Sequence, residues 1–254
     1  MEKYAVVTGA SAGLGMEFAR QLAKKGYRLI LTARREDRLK ELAEQLPVEC
    51  EIVPADLSDT EECLRFFDAI KEKAIEVFIN NAGFGDCNEF VAGDLTKELA
   101  MVDVNVKAMH TLMKLMLQKM SREKQGYIMN VASSAGLLPA GPYMATYYAT
   151  KAYMTSLTQA VAQELKETGN PVYVGALCPG PVNTEFNEVA NVEFALKGIS
   201  PKYCVTYALK KMFQKKIVIV PTLLMKLSTT MGHMSPRAIS IKITSGQQRR
   251  KMGK

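Results

Sequence analysis

Histidine is scarce in this sequence of 254 residues, with only His110 and His233, and the five cysteines form no C-x-x-C pair. No ligand cluster for a metal emerges, so no metal site is expected. Thiols scattered in this way suit a reducing compartment, and a cytoplasmic location follows as the expectation. Long apolar runs are lacking too. The longest uncharged apolar stretch near the C-terminus, Ile217 to Met225, is too short to span a bilayer. At the other end Met1-Glu2-Lys3 passes straight into an apolar segment, leaving no room for a charged and then an apolar leader region.

Acidic residues disappear after Glu193, while thirteen lysines and arginines follow it. Since the whole chain carries only +7, its basic character is confined to this tail and the rest is net negative. Such a tail suits nucleic acid, anionic lipid or a phosphorylated ligand, but the aromatic residues that stack bases are not interleaved in it. No nucleic-acid partner is expected, and a solubilising or subunit-facing tail is the plainer alternative to a lipid contact. What the sequence does have is 48% apolar content and alternating strand-like and helix-like segments. These predict one α/β domain over residues 1–254, with 221–254 as a basic C-terminal extension.

An acid–base group with its own tuning charge stands at Tyr147 and Lys151, four residues apart and so on one face of any helix that holds them. Tyr148 has no such partner, because position 152 is alanine. Upstream, a strand at 3–8 runs into Gly9-Ala10-Ser11-Ala12-Gly13-Leu14-Gly15 and then a helix at 16–25. A strand, a glycine-rich turn and a helix start make a phosphate cradle, in which glycine permits close backbone approach and the free N–H groups favour the anion. The second strand, 27–33, ends at Ala33-Arg34-Arg35. An NAD site places a carboxylate there for the ribose 2′-hydroxyl; an arginine suits a 2′-phosphate, which predicts NADP(H) held by Arg34.

A third strand at 49–55 ends at Asp56-Leu57, where the aspartate either meets the adenine edge or simply makes a turn. Ser58, with Glu61 three positions on, has the form of a capping box for a helix at 60–73. The fourth strand, 76–79, closes with Asn80-Asn81-Ala82-Gly83, residues able to bridge strands or line a cofactor. A helix at 95–120 carries Asn105 between two valines. The fifth strand, 126–132, ends in Ser133-Ser134 before the Tyr147 helix, which continues to about 167; the sixth, 172–177, is closed by Cys178-Pro179-Gly180-Pro181. Residues 182–200 have weak periodicity and read either as a mobile cover or as a surface connection. A seventh strand follows at 217–220. Beyond it Ile239, Ile241 and Ile243 alternate as in a strand, while Leu223 and Leu227 have helical spacing, so the tail stays open.

Taken together these residues resemble the short-chain dehydrogenase/reductase family over nearly the whole chain. Thr8 to Gly15 is similar to its T-G-x-x-x-G-x-G loop, Asn80 to Gly83 to its N-N-A-G segment, and Asn105, Ser134, Tyr147 and Lys151 to its catalytic tetrad. The thirteen-residue interval before Tyr147 selects Ser134 over Ser133. Pro179-Gly180, with Val182 and Thr184, resembles the stretch that receives the nicotinamide carboxamide. The resemblance implies a Rossmann-type, doubly wound, seven-stranded parallel sheet in three α/β/α layers and a homodimer or homotetramer. It also implies NADP(H)-dependent interconversion of a ketone or aldehyde and an alcohol. Gly9, Ser11, Gly13, Leu14, Gly15, Arg34, Asp56, Leu57, Asn81, Ala82, Gly83, Pro179, Gly180, Val182 and Thr184 would then bind cofactor together with Tyr147 and Lys151. In that scheme Ser134 and Tyr147 meet the substrate oxygen, Lys151 lowers the tyrosine pKa and holds the ribose, and Asn105 positions water. The basic C-terminus is similar to that of reductases of steroid and fatty-acyl ketones, implying a hydrophobic small-molecule substrate and weak contact with an anionic membrane. A non-catalytic nucleotide-sensing scaffold and a reductase of carrier-bound 3-oxoacyl groups are the alternatives.

Overall fold

Seven short apolar segments form the strands of one sheet: β1 (Tyr4–Thr8), β2 (Arg28–Thr32), β3 (Cys50–Ile52), β4 (Ile75–Asn80), β5 (Tyr127–Val131), β6 (Tyr173–Leu177) and β7 (Val218–Ile219). In this computed structural model, which describes residues 3–190 and 198–251, they pair in the order β3-β2-β1-β4-β5-β6-β7. Every pairing is parallel. Strands buried on both faces need no polar side, which is why they read as nearly unbroken apolar runs.

Helices cover both faces. Ala5 and Val7 of β1 point to one side, where Phe18 and Leu22 of α1 (Gly13–Ala23), Leu39 of α2 (Glu36–Glu44) and Leu209 of α8 (Pro201–Phe213) pack. Val6 points to the other, with Phe66 of α3 (Thr60–Ile70), Met116 of α5 (Met109–Glu123) and Met154 of α6 (Ala145–Glu167). This alternation is the period-two signature of a strand between two helical layers. β1 has β2 on one side and β4 on the other, so the winding reverses between β1 and β4. A crevice opens there beyond the carboxyl ends of the strands. The expected seven-stranded, doubly wound fold is thus what the chain adopts.

Two local expectations differ, and one left open is decided. The helix expected at 95–120 is interrupted: α4 (Leu95–Val102) passes through a π-helical turn, Asp103–Ala108, before α5. Ser58 does not cap α3; the cap is Asp59, whose side chain accepts from the Glu61 N–H, while Ser58 donates its N–H and hydroxyl to Asp56. The adjacent aspartate wins because a carboxylate is the stronger acceptor at a helix start. Finally, the open tail is helical, as α9 (Leu223–Met234) and α10 (Arg237–Lys251). Between β6 and α8 lies the short helix α7 (Phe186–Val189); of the expected cover or connection at 182–200, residues 191–197 lie outside the described residues.

Candidate active site

The turn after β1 is built by close approach. Gly9 has φ +64°, and a Cβ there would stand 2.9 Å from both the Ala82 Cα and the Asn81 side-chain nitrogen. At Gly15 a Cβ would lie 2.1 Å from the Gly9 carbonyl oxygen, so only glycine lets α1 seat against the turn. Thr8 and Asn81 stitch the ends of β1 and β4 together. The Thr8 hydroxyl accepts from the Asn81 and Ala82 N–H groups, each at 2.9 Å, and the Asn81 amide donates to the carbonyls of Thr8 and Gly9 at 2.9 and 3.3 Å. Asn81 therefore bridges the strands and faces the crevice as well.

That crevice is a cavity of about 620 Å³, roomy enough for a dinucleotide and a small substrate. Of the residues selected from sequence, Gly9, Ser11, Gly13, Leu14, Arg34, Asp56, Leu57, Asn81, Ala82 and Gly83 line it, as do Ser134, Tyr147, Lys151, Pro179, Gly180, Val182 and Thr184. Gly15 and Asn105 are not among its lining residues.

One end of the cavity is charged, with Arg34 and Arg35 beside Asp56 and Glu185. Arg34 and Arg35 both line it, and Arg35 donates to the Ser11 hydroxyl of the glycine turn at 3.4 Å. Across the mouth, Glu185 pairs with Arg38 at 2.7 Å and with Arg35 at 3.5 Å, and its carboxyl is held below the usual range chiefly by the Arg38 hydrogen bond. Burial alone would raise Asp56; the two Ser58 hydrogen bonds and the Arg34 charge overcome it and bring the pKa down. Asp56 is therefore an ionised turn residue engaged with its own loop.

Tyr147 and Lys151 lie one turn apart on α6, both nearly buried. Burial pushes the Tyr147 hydroxyl up to about 12, and the hydrogen bond from Ser133 works against it. Here the arrangement departs from two expectations. It is Ser133, not Ser134, whose side chain meets the Tyr147 hydroxyl. Ser133 is extended and caps a 3₁₀ turn at Ser134–Leu137, and Ser134 commits its N–H to the Pro179 carbonyl at 2.8 Å. Ser134, which the thirteen-residue interval selected, lines the same cavity, and an interval counts residues and not which way an extended pair points. The expected lowering of the tyrosine pKa by Lys151 is also absent. The lysine Nζ sits 5.8 Å from the centre of the Tyr147 ring and donates to the Val131 carbonyl at 2.9 Å.

Desolvation lowers Lys151 itself from 10.5 to about 8. The depressed value means that the unfolded chain holds its proton more tightly, so the buried ammonium costs stability below about pH 8. That cost is relieved as pH rises toward 10.5. The shift corresponds to on the order of 3 kcal/mol, and the lost hydrogen bond to Val131 returns about 1 kcal/mol. Lys151→Met should therefore make the free protein about 2 kcal/mol more stable at neutral pH. The rise in stability between pH 8 and 10.5 should vanish with it, as read by urea unfolding across pH.

Asn105 is fully buried in the π-helical turn. Its amide donates to the Phe84 carbonyl at 2.9 Å and to the Thr150 hydroxyl at 3.1 Å, and its oxygen accepts from the Phe84 N–H at 3.1 Å. Both amide hydrogens are thus committed to bracing the 84–93 loop against α6. Gly83 leaves the room for this, since a Cβ would stand 2.8 Å from the Asn105 oxygen and 3.3 Å from the Lys151 Nζ.

Beyond Tyr147 the cavity becomes apolar, with Leu138, Met144, Phe186, Val189 and Met225 along it. The segment 182–200, read from sequence as a cover or a connection, supplies Phe186 and Val189; the contribution of the tail had no sequence signal. Met225 of α9 and Gln247 and Arg250 of α10 reach this wall, and Gln248 donates to the Tyr148 hydroxyl at 2.6 Å. No local pattern could have announced a contact between residues a hundred positions apart.

Known proteins resemble the chain in sequence and in fold. A family model described as short chain dehydrogenase matches residues 3–193. An uncharacterized oxidoreductase of Staphylococcus saprophyticus is 36% identical over 191 residues, covering 72% of this chain and 80% of its own. A very-long-chain 3-oxoacyl-CoA reductase of Neurospora crassa is 34% identical over 180 residues, covering 67% of this chain and 54% of its own. Among solved structures, a short-chain dehydrogenase from Sphingobium yanoikuyae in complex with NADPH superposes with a TM-score of 0.81 at 27% identity, covering 92% of this chain and 94% of that one.

Proposed function

The chain belongs to the short-chain dehydrogenase family of oxidoreductases, and on that premise we propose that it reduces an apolar ketone or aldehyde to the alcohol with NADPH. The observation that carries the reading is that Tyr147, Ser133 and Lys151 line one cavity together with the glycine turn, Arg34 and Arg35 on one hand and apolar side chains on the other. The residues fit a nicotinamide dinucleotide: Gly9 and Gly13, both at positive φ, open a cradle that a Cβ would fill, and Arg34 and Arg35 line the cavity beside it without a carboxylate at that strand end. When bound, the cofactor supplies the hydride. The glycine turn and the first N–H groups of α1 hold its phosphates, and the nicotinamide half is taken by Asn81, Gly83, Pro179, Gly180 and Lys151.

Tyr147 donates the proton to the substrate oxygen. Ser133 hydrogen-bonds to the same oxygen as negative charge develops on it, the role the sequence interval gave to Ser134. Lys151 keeps a positive charge near that oxygen without touching the phenol, and Asn105 fixes the loop and helix that frame it. The long apolar wall favours a bulky hydrophobic substrate, and the named activity of the Neurospora relative supports an acyl chain as the second candidate. We place the enzyme in the cytoplasm, as a homo-oligomer, on its five free thiols and its family.

Turnover of NADPH over a panel of bulky ketones tests the reading; binding of NADPH with no turnover on any of them would instead favour a nucleotide-sensing protein. Cofactor choice has its own test. Arg34→Glu exchanges a hydrogen-bond donor to phosphate for a repelling carboxylate. It should lower kcat/KM with NADPH by about 100-fold or more while leaving NADH within a few-fold. An unchanged ratio of the two in steady-state kinetics would remove Arg34 from the 2′-phosphate.

A further inference from the structure

Helices α9 and α10 are amphipathic in the reverse sense. On α10, Ser240, Thr244 and Gln248 recur every four residues and form the buried face, while Ile239 and Ile243 are 53% and 58% exposed. On α9, Thr229 is buried, whereas Leu223, Leu224, Leu227, Met231 and Met234 are exposed, from 55% at Leu227 to 83% at Met234. At 3.6 residues per turn those five fall within an arc of about 100°. Seven large apolar side chains turned to solvent on two consecutive helices form a patch that calls for a partner.

Charge identifies the partner. Arg237, Lys242 and Arg249 are exposed on α10, and neither helix carries an acidic residue. A second copy of this face would set like charges against one another, whereas an anionic lipid surface accepts the leucines and methionines into its acyl boundary and the cations at its headgroups. Position agrees as well. Met225, Gln247 and Arg250 line the apolar end of the cavity, and Gly232 of α9 lies against Leu138, so the outward patch is the reverse side of the substrate wall. Both helices lie beyond the residues that the family model matches.

We propose that the outer face of α9 and α10 docks on an anionic bilayer surface and so sets the substrate end of the cavity at the membrane. Docking stands without the reductase reading; delivery of a membrane-dissolved ketone rests on it.

The test is co-sedimentation of the full chain with vesicles of phosphatidylcholine alone and of phosphatidylcholine mixed with phosphatidylglycerol. Binding should require the phosphatidylglycerol and weaken with salt. The triple variant Leu224→Ser, Leu227→Ser, Met231→Ser touches only exposed positions. It should partition about 100-fold less, with its melting curve and its turnover of a water-soluble ketone unchanged. No binding to the mixed vesicles at low salt would overturn the proposal, and so would binding indifferent to the serines. It also falls if, in analytical ultracentrifugation, the serines dissociate a wild-type oligomer, because the face is then a contact between copies. Vesicle binding by a protein that turns over no ketone would leave the docking in place and remove the reductase reading instead.

Discussion

Replacing Tyr147 with phenylalanine is expected to lower kcat by about 10³-fold while NADPH affinity stays within a few-fold, because the change removes one hydroxyl and nothing else. The ring is held by its neighbours: Phe186 at 5.5 Å and Tyr148 at 6.4 Å between centroids, both of which phenylalanine can keep. What is lost is the phenolic proton, which the neighbouring Ser133 hydroxyl does not replace. With its pKa pushed up to about 12, the hydroxyl holds its proton throughout the neutral range, which makes it a ready donor and a poor base. Reduction should therefore run well at neutral pH, and oxidation of the alcohol should gain as pH rises and the phenolate is populated. Single-turnover reduction with NADPH, alongside cofactor titration by fluorescence, separates the two quantities. A variant with near-normal turnover would take the proton away from Tyr147 and assign it to water.

The features legible in the sequence were those fixed by local chemistry. A glycine is required where backbone meets backbone, as at Gly9 and Gly15, or where φ is positive, as at Gly13, so the three announced the turn. A parallel strand buried on both faces announces itself as an apolar run, so all seven strands fell close to their predicted places. Tyr147 and Lys151 were found because a helix turns a spacing of four into a shared face. The features that escaped depend on direction or on distance along the chain. Ile239 and Ile243 lie on one exposed helix face although their alternation with Ile241 is strand-like, and the buried partners that decide the matter, Ser240, Thr244 and Gln248, are polar. An amphipathic helix whose polar side faces inward defeats any rule that sends apolar residues to the core. Charge raised the lipid contact as a possibility in the sequence; only the exposure of Leu223, Leu224, Leu227, Met231 and Met234 gave it a surface.

The adjacent serines provide the sharpest comparison between the two sources. Ser133→Ala should cost about 10² to 10³ in kcat, the effect of removing one hydrogen-bond donor from a developing oxyanion. Ser134→Ala should stay within a few-fold of the parent, because what Ser134 commits to the fold is its main-chain N–H, given to the Pro179 carbonyl, and alanine keeps that. Both serines line the same cavity, so a difference between the variants reports direction and not proximity. Ser133 also accepts the Ala135 N–H at 3.1 Å, and losing this cap costs about 1 kcal/mol of local stability. Ser133→Thr, which retains an oxygen for the cap, controls for that loss in melting experiments. If Ser134→Ala is instead the damaging change, the thirteen-residue interval identified the oxyanion donor correctly. The extended turn at Ser133 would then have to rearrange when substrate binds.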